Sequence, residues 1–295
     1  ILILLSISFA GLISPENGKT LNYTHVLFEW EQEEDAIEYT LYVSKNGNEE
    51  ISTTTQSLIF ISEGDLSWNN TYQWKVRPIY SDGSTGSWSE QYTFDIGNTR
   101  SSASASGSGS EGITMFSSFL DYYSAAIDES GNEIWNSGND NLIFYNTDYY
   151  GQLFGAQYDY TLVNNLPVIE YNIDNDIVWQ EPNDHFSHHE MIQLPNGNYM
   201  SIVEEIILGP IPPDLNNNLT MLFQFLGYFA NGFTNEFPWV GDRLVEWDEN
   251  GNEVWSWSTF DHFDMNDYDR IGGTWNAAFN DGRHDWTHAN AFWFS

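Results

Sequence analysis

Apolar and polar residues alternate along much of this chain, and the alternation predicts β-strands. Residues 26–30, 39–44 and 71–77 each follow the two-residue period of a half-buried strand, and turn-rich segments at 45–48 and 81–84 separate them. Aromatic residues, which favour strands, make up 17% of the 295 residues, whereas Lys and Arg together number 8. We therefore predict an all-β protein.

The first part of the chain, residues 14–97, resembles a fibronectin type III module. Trp30 lies in an early predicted strand, and residues 74–77 read Trp-x-Val-Arg, as strands of that family do. The resemblance implies a small β-sandwich that serves as a spacer or docking surface. We assign no chemistry to it.

Two segments flank this module. Residues 1–13 begin with an apolar run too short to span a bilayer, which predicts the remnant of a signal peptide and an exported protein (periplasmic, extracellular or on the cell surface). A buried first strand is the alternative. Residues 98–111 are rich in Ser and Gly, which predicts a flexible linker and a domain boundary.

One hairpin pattern recurs beyond the linker. Residues 126–135 match residues 246–255, and residues 170–179 form a weaker copy. Each copy has a strand, a polar turn with Gly or Asn able to adopt positive φ, and a returning strand with a tryptophan at the same offset. The copies at 126–135 and 170–179 lie about one propeller blade apart. The longer gap between 170–179 and 246–255 predicts an insertion within 209–238. Residues 112–295 are thus predicted to be the first blades of a partial, truncated β-propeller.

Charge and cysteine content exclude several classes of function. The formal net charge is −35, so the chain has too few cations to neutralise the phosphates of a nucleic acid. Such a chain also repels anionic ligands unless a local cationic pocket overrides the field. The absence of cysteine excludes disulfides, thiolate catalysis and zinc sites built from cysteine.

Histidines supply the candidate chemistry. His188 and His189 precede a predicted hairpin turn, and residues 283–290 read Arg-His-Asp-Trp-Thr-His-Ala-Asn. Histidine suits proton transfer or nucleophilic work near neutral pH. If residues 288–292 begin a strand, His288 and Asn290 lie on one face of it and point towards the axis of the propeller.

These two histidine segments resemble the bacterial arylsulfotransferase (ASST) family over residues 111–295. The family is a periplasmic or secreted six-bladed propeller that moves a sulfuryl group from a phenolic sulfate ester to a phenol. The resemblance implies an aryl sulfate donor and a phenol acceptor, and no cofactor. It also implies that the sulfated nucleophilic histidine and the pocket arginine of the family lie beyond residue 295, so that this chain is a fragment, inactive alone.

The resemblance also assigns roles to residues of this chain. His288 and Asn290 would bind the oxygens of the sulfuryl group, together with His189 in preference to His188. Arg283, His284 and Asp285 could contact these ligands without touching the substrate themselves. His284 and Asp285 could instead be a structural pair at the start of the predicted strand.

Several other interpretations stay open. The main alternative function is a non-catalytic secreted propeller for surface binding or adhesion, and a third is a propeller oxidoreductase with a quinone or a metal. We assign no metal site, because no carboxylate from a third segment is clearly placed near the histidines at 185, 188 and 189. His185 and His262 are interpreted as surface or packing residues, and self-association stays open. The repeated tryptophans, interpreted as blade-packing residues, are Trp135, Trp179 and Trp255.

Overall fold

The computed structural model describes residues 11–101, 112–162, 164–182, 186–216, 218–269 and 273–294. Strands dominate these ranges, which confirms the all-β prediction. The chain divides into two compact units, Ile1–Asp140 and Asn141–Ser295. The signal-peptide and linker predictions fall mostly on residues 1–10 and 102–111, which lie outside the described residues. Those predictions, and the domain bounds that rest on them, stay predictions.

The first unit begins with a two-sheet β-sandwich. Its strands are β1 (Leu12–Ser14), β2 (Thr20–Leu21), β3 (Val26–Trp30), β4 (Ala36–Lys45), β5 (Asn48–Thr55), β6 (Ile59–Ser62), β7 (Asn70–Tyr80) and β8 (Tyr92–Ile96). One sheet has the order β1-β3-β6 and the other β2-β8-β7-β4-β5. The three strands predicted from alternation are therefore β3, β4 and β7.

Aromatic side chains fill the space between the two sheets. Phe28 from β3 meets Trp74 from β7 edge-to-face at 5.2 Å between ring centroids, and Phe94 from β8 at 5.9 Å. All three rings are fully buried. Edge-to-face pairs of this kind stabilise a core beyond the area that they bury.

A further sheet of the first unit has the order β11-β10-β9, from β9 (Thr114–Ser118), β10 (Tyr123–Ile127) and β11 (Glu133–Asn136). In the second unit, β12 (Leu142–Thr147), β13 (Leu153–Gln157), β14 (Val168–Tyr171) and β15 (Ile177–Gln180) form an antiparallel sheet in chain order. The next sheet has the order β16-β17-β18-β19, with β16 (Phe186–Gln193), β17 (Tyr199–Pro210), β18 (Asn235–Trp247) and β19 (Glu253–Ser258). The short strand β20 (His284–Asp285) pairs with β18 in parallel.

The three repeated sequences form three hairpins with the same register. Trp135 lies opposite Ala126, Trp179 opposite Glu170, and Trp255 opposite Glu246, and in each hairpin the register shifts at the next pair towards the turn. The positive φ predicted in each turn belongs to Gly131, Asn175 and Gly251. The sequence repeat is therefore a repeat of backbone geometry.

The tryptophans of these hairpins differ in their surroundings. Trp135 and Trp179 are buried, and Trp179 stacks on Tyr199 of β17 at 4.1 Å. Trp255 lies on β19, the last strand of its sheet, and is 44% exposed. The predicted packing role thus applies to Trp135 and Trp179 but not to Trp255.

The predicted insertion is present between β17 and β18, and it contains helix α1 (Leu219–Phe225). Helices α2 (Thr259–His262) and α3 (Thr274–Asp281) follow β19. Phe223 of α1 and Trp275 of α3 meet at 6.0 Å in an aromatic cluster that also includes Phe237 and Trp239 of β18. This cluster anchors the insertion to the sheet. No helix in the described ranges has the length and apolar character needed to cross a bilayer.

We expect the substitution Gly251→Ala to destabilise the second unit by about 1 kcal/mol, because Gly251 has a φ of 79° that alanine adopts only with strain. Urea unfolding would measure the change in free energy. Asn250→Ala is the matched control in the same turn, since only the backbone amide of Asn250 bonds to Asp248. Equal stability of Gly251→Ala and the native chain would contradict this prediction.

Candidate functional site

Three imidazole rings from two distant segments lie in a row in the second unit. The rings of His188 and His189 on β16 are 4.8 Å apart between centroids, and the rings of His189 and His288 are 6.0 Å apart. His188 and His189 are half-buried, whereas the side chain of His288 is 60% exposed. The structure therefore brings together the two histidine segments that the sequence singled out.

Two of these histidines adopt the same uncommon backbone conformation. His189 has a φ of 67° and His288 a φ of 46°, both in the left-handed region. The register of β16 against β17 shifts between His188 and Met191, so His189 lies in a bulge. The left-handed region costs a non-glycine residue about 1–2 kcal/mol, so the surrounding contacts must hold both residues there.

Each of the outer two histidines faces a carboxylate. His288 Nδ1 lies 2.6 Å from Asp285 Oδ2, and His188 Nε2 lies 3.3 Å from Asp242 Oδ1. The contact of His188 is an ion-pair distance rather than an ideal hydrogen bond, and this nitrogen has no other partner within the described chain. In His288 the carboxylate contacts Nδ1, so Nε2 is the ring nitrogen that Asp285 does not occupy.

Asp242 lies in the middle of β18 and is only 5% exposed. Its Oδ2 accepts hydrogen bonds from the Thr287 hydroxyl at 2.5 Å and from the Ala289 backbone amide at 2.7 Å. Burial alone would raise the pKa of Asp242, but the groups of His188, Thr287 and Ala289 that face the carboxylate hold this pKa below its usual value. Asp242 is therefore an ionised carboxylate buried beside the histidines.

The surroundings of the central histidine, His189, favour its neutral form. Its burial lowers its pKa, and the neighbouring rings of His188 and His288 lower it further, while Asp242 acts in the opposite direction. A neutral imidazole has one N–H donor and one lone pair. The row can thus combine hydrogen-bond donors with one nitrogen that can act as a nucleophile or proton acceptor.

The segment that carries His288 differs from its prediction. Residues 286–294 are not a strand, so the expected alternation of His288 and Asn290 on one face does not apply. Two carboxylates bond to this segment: Phe292 donates its backbone amide to Glu190 Oε2 at 2.7 Å, and Ala289 donates its own to Asp242 Oδ2. The backbone amide of Trp286 bonds to the Val240 oxygen of β18. The side chain of Asn290 donates to the His288 backbone oxygen at 3.3 Å and therefore lies beside His288.

The three other residues predicted around the site lie in different surroundings. His284 is buried away from solvent and stacks on Trp275 at 4.1 Å, with neither ring nitrogen bonded to any described group. The predicted pairing of His284 with Asp285 is therefore absent, and Asp285 pairs with His288 instead. Arg283 Nη1 lies 3.2 Å from Glu204 Oε2.

The ion pair with Glu204 places Arg283 near Asp242. Glu204 on β17 is the direct cross-strand neighbour of Asp242, and opposed residues share one face of a sheet. The guanidinium of Arg283 is half exposed. His185 lies outside the described residues, and His262 is an exposed residue that stacks on Trp257.

Sequence reasoning missed Asp242. It lies in the middle of strand β18, where aspartate is depleted, and in none of the motifs that the sequence analysis singled out. No three of the described His, Asp and Glu residues are arranged so that they could hold a metal ion.

Solved structures that are similar to this chain include two distantly similar proteins. An α-L-rhamnosidase from Dictyoglumus thermophilum is 11% identical with a TM-score of 0.26, over 85% of this chain and 28% of that chain. An exotype rhamnogalacturonan lyase, YesX, is 10% identical with a TM-score of 0.20, over 83% of this chain and 41% of that chain. This chain therefore spans less than half the length of either protein. No curated protein matches it significantly.

A family model gives a more specific result. The model of the arylsulfotransferase (ASST) family matches residues 215–295. The matched range contains Asp242, Asp285, His288 and Asn290, whereas His188 and His189 precede it. This match confirms, over residues 215–295, the resemblance to the arylsulfotransferase (ASST) family that the motif around His288 predicts.

Proposed function

We propose that the protein containing this chain is an aryl sulfotransferase, which moves a sulfuryl group from a phenolic sulfate ester to a phenol. The observation that carries the proposal is the row of imidazole rings His188–His189–His288. His288 lies within the residues that match the arylsulfotransferase family, and the other two histidines precede that range. The role of this chain is to hold the sulfuryl group.

The chemistry of the site supports this role. During transfer, negative charge spreads over the sulfuryl oxygens, and preorganised N–H donors stabilise that charge. Because the formal net charge is −35, an anionic substrate needs a local set of donors to approach. His288 supplies such a donor at Nε2 when both of its ring nitrogens carry a proton, with Nδ1 directed at Asp285, and the side-chain amide of Asn290 beside it supplies another.

The proposed reaction has two steps. A histidine nitrogen attacks sulfur, the S–O bond of the donor ester breaks, and the phenolate leaves and takes up a proton. A phenol acceptor then attacks the same sulfur, the S–N bond breaks, and the acceptor loses its proton. We assign the attacking nitrogen to a histidine outside these 295 residues, and we assign binding of the sulfuryl oxygens to His288, Asn290, His189 and His188.

The architecture and location belong to the same proposal. We infer that the sandwich of residues 14–97 is a fibronectin type III-like module, supported by its three-stranded sheet packed on a larger one. We also infer that the two sheets of the second unit are blades of a six-bladed propeller in an exported protein.

The test is an assay of the full-length gene product with 4-nitrophenyl sulfate. We expect release of nitrophenol to depend on an added phenol, and we expect the sulfated phenol to appear in equal amount. The 295-residue chain alone is expected to show no turnover. Release without any acceptor would indicate a sulfatase, and a folded full-length protein that shows no release with any phenol would refute the proposed activity.

The alternative is a secreted binding protein. One observation favours it: the insertion exposes several large apolar side chains, Met221, Leu222, Phe225, Leu226, Phe229 and Phe233. Exposed apolar patches mark interaction sites. Absence of turnover in the assay above would make this alternative the better account of the molecule.

A further inference from the structure

We propose that Asp242 is the positioning residue of this site: one buried carboxylate orients His188 and also fixes the turn that carries His288. The predicted effect of Asp242 on the rate of sulfuryl transfer rests on the proposed function. The predicted effect of Asp242 on the position of the proton in His188 does not.

The two oxygens of Asp242 face different parts of the site. Oδ1 faces His188 Nε2 at 3.3 Å. Oδ2 accepts from the Thr287 hydroxyl and the Ala289 amide, the residues on either side of His288. A single side chain thus contacts two segments, at His188 and at 287–289, that lie about a hundred residues apart in the sequence. One carboxylate oxygen contacts each segment.

The backbone around Asp242 is fixed from both sides. Its amide lies 3.1 Å from the Thr259 hydroxyl oxygen and 3.1 Å from the Thr287 hydroxyl oxygen. At the preceding residue, Gly241, an added Cβ would lie 2.6 Å from Thr259 Oγ1, so this part of β18 packs tightly against the start of α2. The carboxylate therefore projects from a rigid strand, which is where a positioning group is most effective.

The contacts on both sides of His288 explain its backbone conformation. A residue with a φ of 46° keeps this conformation when its surroundings outweigh the strain. Thr287 and Ala289 are both bonded to the same oxygen, so the residue between them forms the top of a short closed turn. This turn presents the His288 side chain beside His189.

A carboxylate that merely anchored the turn would need only Oδ2. Burying an ionised group costs free energy that its donors must offset, and a neutral acceptor would hold Thr287 and Ala289 at lower cost. The charge is accounted for by the second contact: an anionic oxygen 3.3 Å from His188 Nε2 favours the proton on that ring nitrogen.

The substitution Asp242→Asn separates these two roles. The Ala289 amide keeps the oxygen of the new side chain at the position of Oδ2, so the turn stays anchored. The amide NH₂ group then faces His188 Nε2, which must become an acceptor and move its proton to Nδ1. Thr287→Val is the matched control, because it removes one donor to Oδ2 and leaves the contact with His188 intact.

The experiment is nitrogen-15 NMR of the histidine side chains in the 295-residue chain, combined with kinetics of the full-length protein. In the native chain His188 should carry a proton on Nε2. In Asp242→Asn the signal should change to the Nδ1-protonated form, while the signal of His262 stays the same. In Thr287→Val the His188 signal should be unchanged. The value of kcat/KM for aryl sulfate should fall about tenfold in Asp242→Asn, mostly in kcat.

Each result has a defined meaning. An unprotonated His188 Nε2 in the native chain would overturn the proposal without any variant, so a folding defect in Asp242→Asn leaves it testable. An unchanged His188 signal in folded Asp242→Asn, or the same change in Thr287→Val, would reduce Asp242 to a turn anchor. If the native protein transfers no sulfuryl group, the proposed activity fails, while the NMR comparison still decides the role of Asp242.

Discussion

Replacing His288 by alanine is expected to lower sulfuryl transfer by the full-length protein about 10²- to 10³-fold, the usual cost of removing one donor to developing negative charge. His288 is the most exposed ring of the row, and Asp285 contacts its Nδ1, so we assign the donor to the sulfuryl group to Nε2. The loss should fall mainly on kcat, because the charge on the oxygens is greatest in the transition state.

The matched control is His262→Ala. His262 is also in the second unit, but it stacks on Trp257 and bonds through Nδ1 to the Ser258 backbone oxygen, away from the row of imidazoles. This variant should keep transfer within about twofold of the native rate, since it removes no group assigned to the site. Equal losses in the two variants, or full activity of His288→Ala with native circular dichroism, would remove His288 from the site.

The strands and hairpins were predictable because their signals are local. The repeat around Trp135 and Trp255 encodes both the strand alternation and the turn, so the copies fold with one register. The end of the chain was not predictable in this way. Residues 288–292 are predicted to begin a strand, but Ala289 and Phe292 donate their backbone amides to the side chains of Asp242 and Glu190, which lie far away in the sequence.

The candidate site was half predictable for the same reason. His188, His189 and His288 stand out because histidine is rare in the chain and these residues lie in short motifs. Motif position does not reveal where a side chain packs, and His284, four residues before His288, enters an aromatic cluster instead. Asp242 carries no motif at all, and only its contacts in three dimensions identify it.

His284 gives the second large expected effect, an acid-induced loss of stability in the second unit. Burial lowers the pKa of His284 to about 4, against a small opposing influence of Asp285 and Asp269. An unfolded chain has the ordinary histidine pKa of about 6.5. At pH 7 the ring is neutral in both states and the free energy of unfolding is unaffected. As the pH falls from about 6.5 to about 4, only the unfolded state binds the proton, so stability declines by about 2 kcal/mol between pH 7 and pH 5.

The substitution His284→Phe should abolish this part of the pH dependence. A phenyl ring can stack on Trp275 as the imidazole does, and no hydrogen bond is lost, because neither nitrogen of His284 has a partner within the described chain. Urea unfolding at pH 7 and pH 5 would compare the native chain with His284→Phe and with His262→Phe, an exposed control that should keep the native slope. Carboxylates that titrate near pH 5 affect all three proteins alike, so the difference between the slopes isolates His284. An identical loss of stability in all three would show that His284 takes up its proton in the folded state at an ordinary pH, and direct titration of its ring by NMR would then give a pKa well above 4.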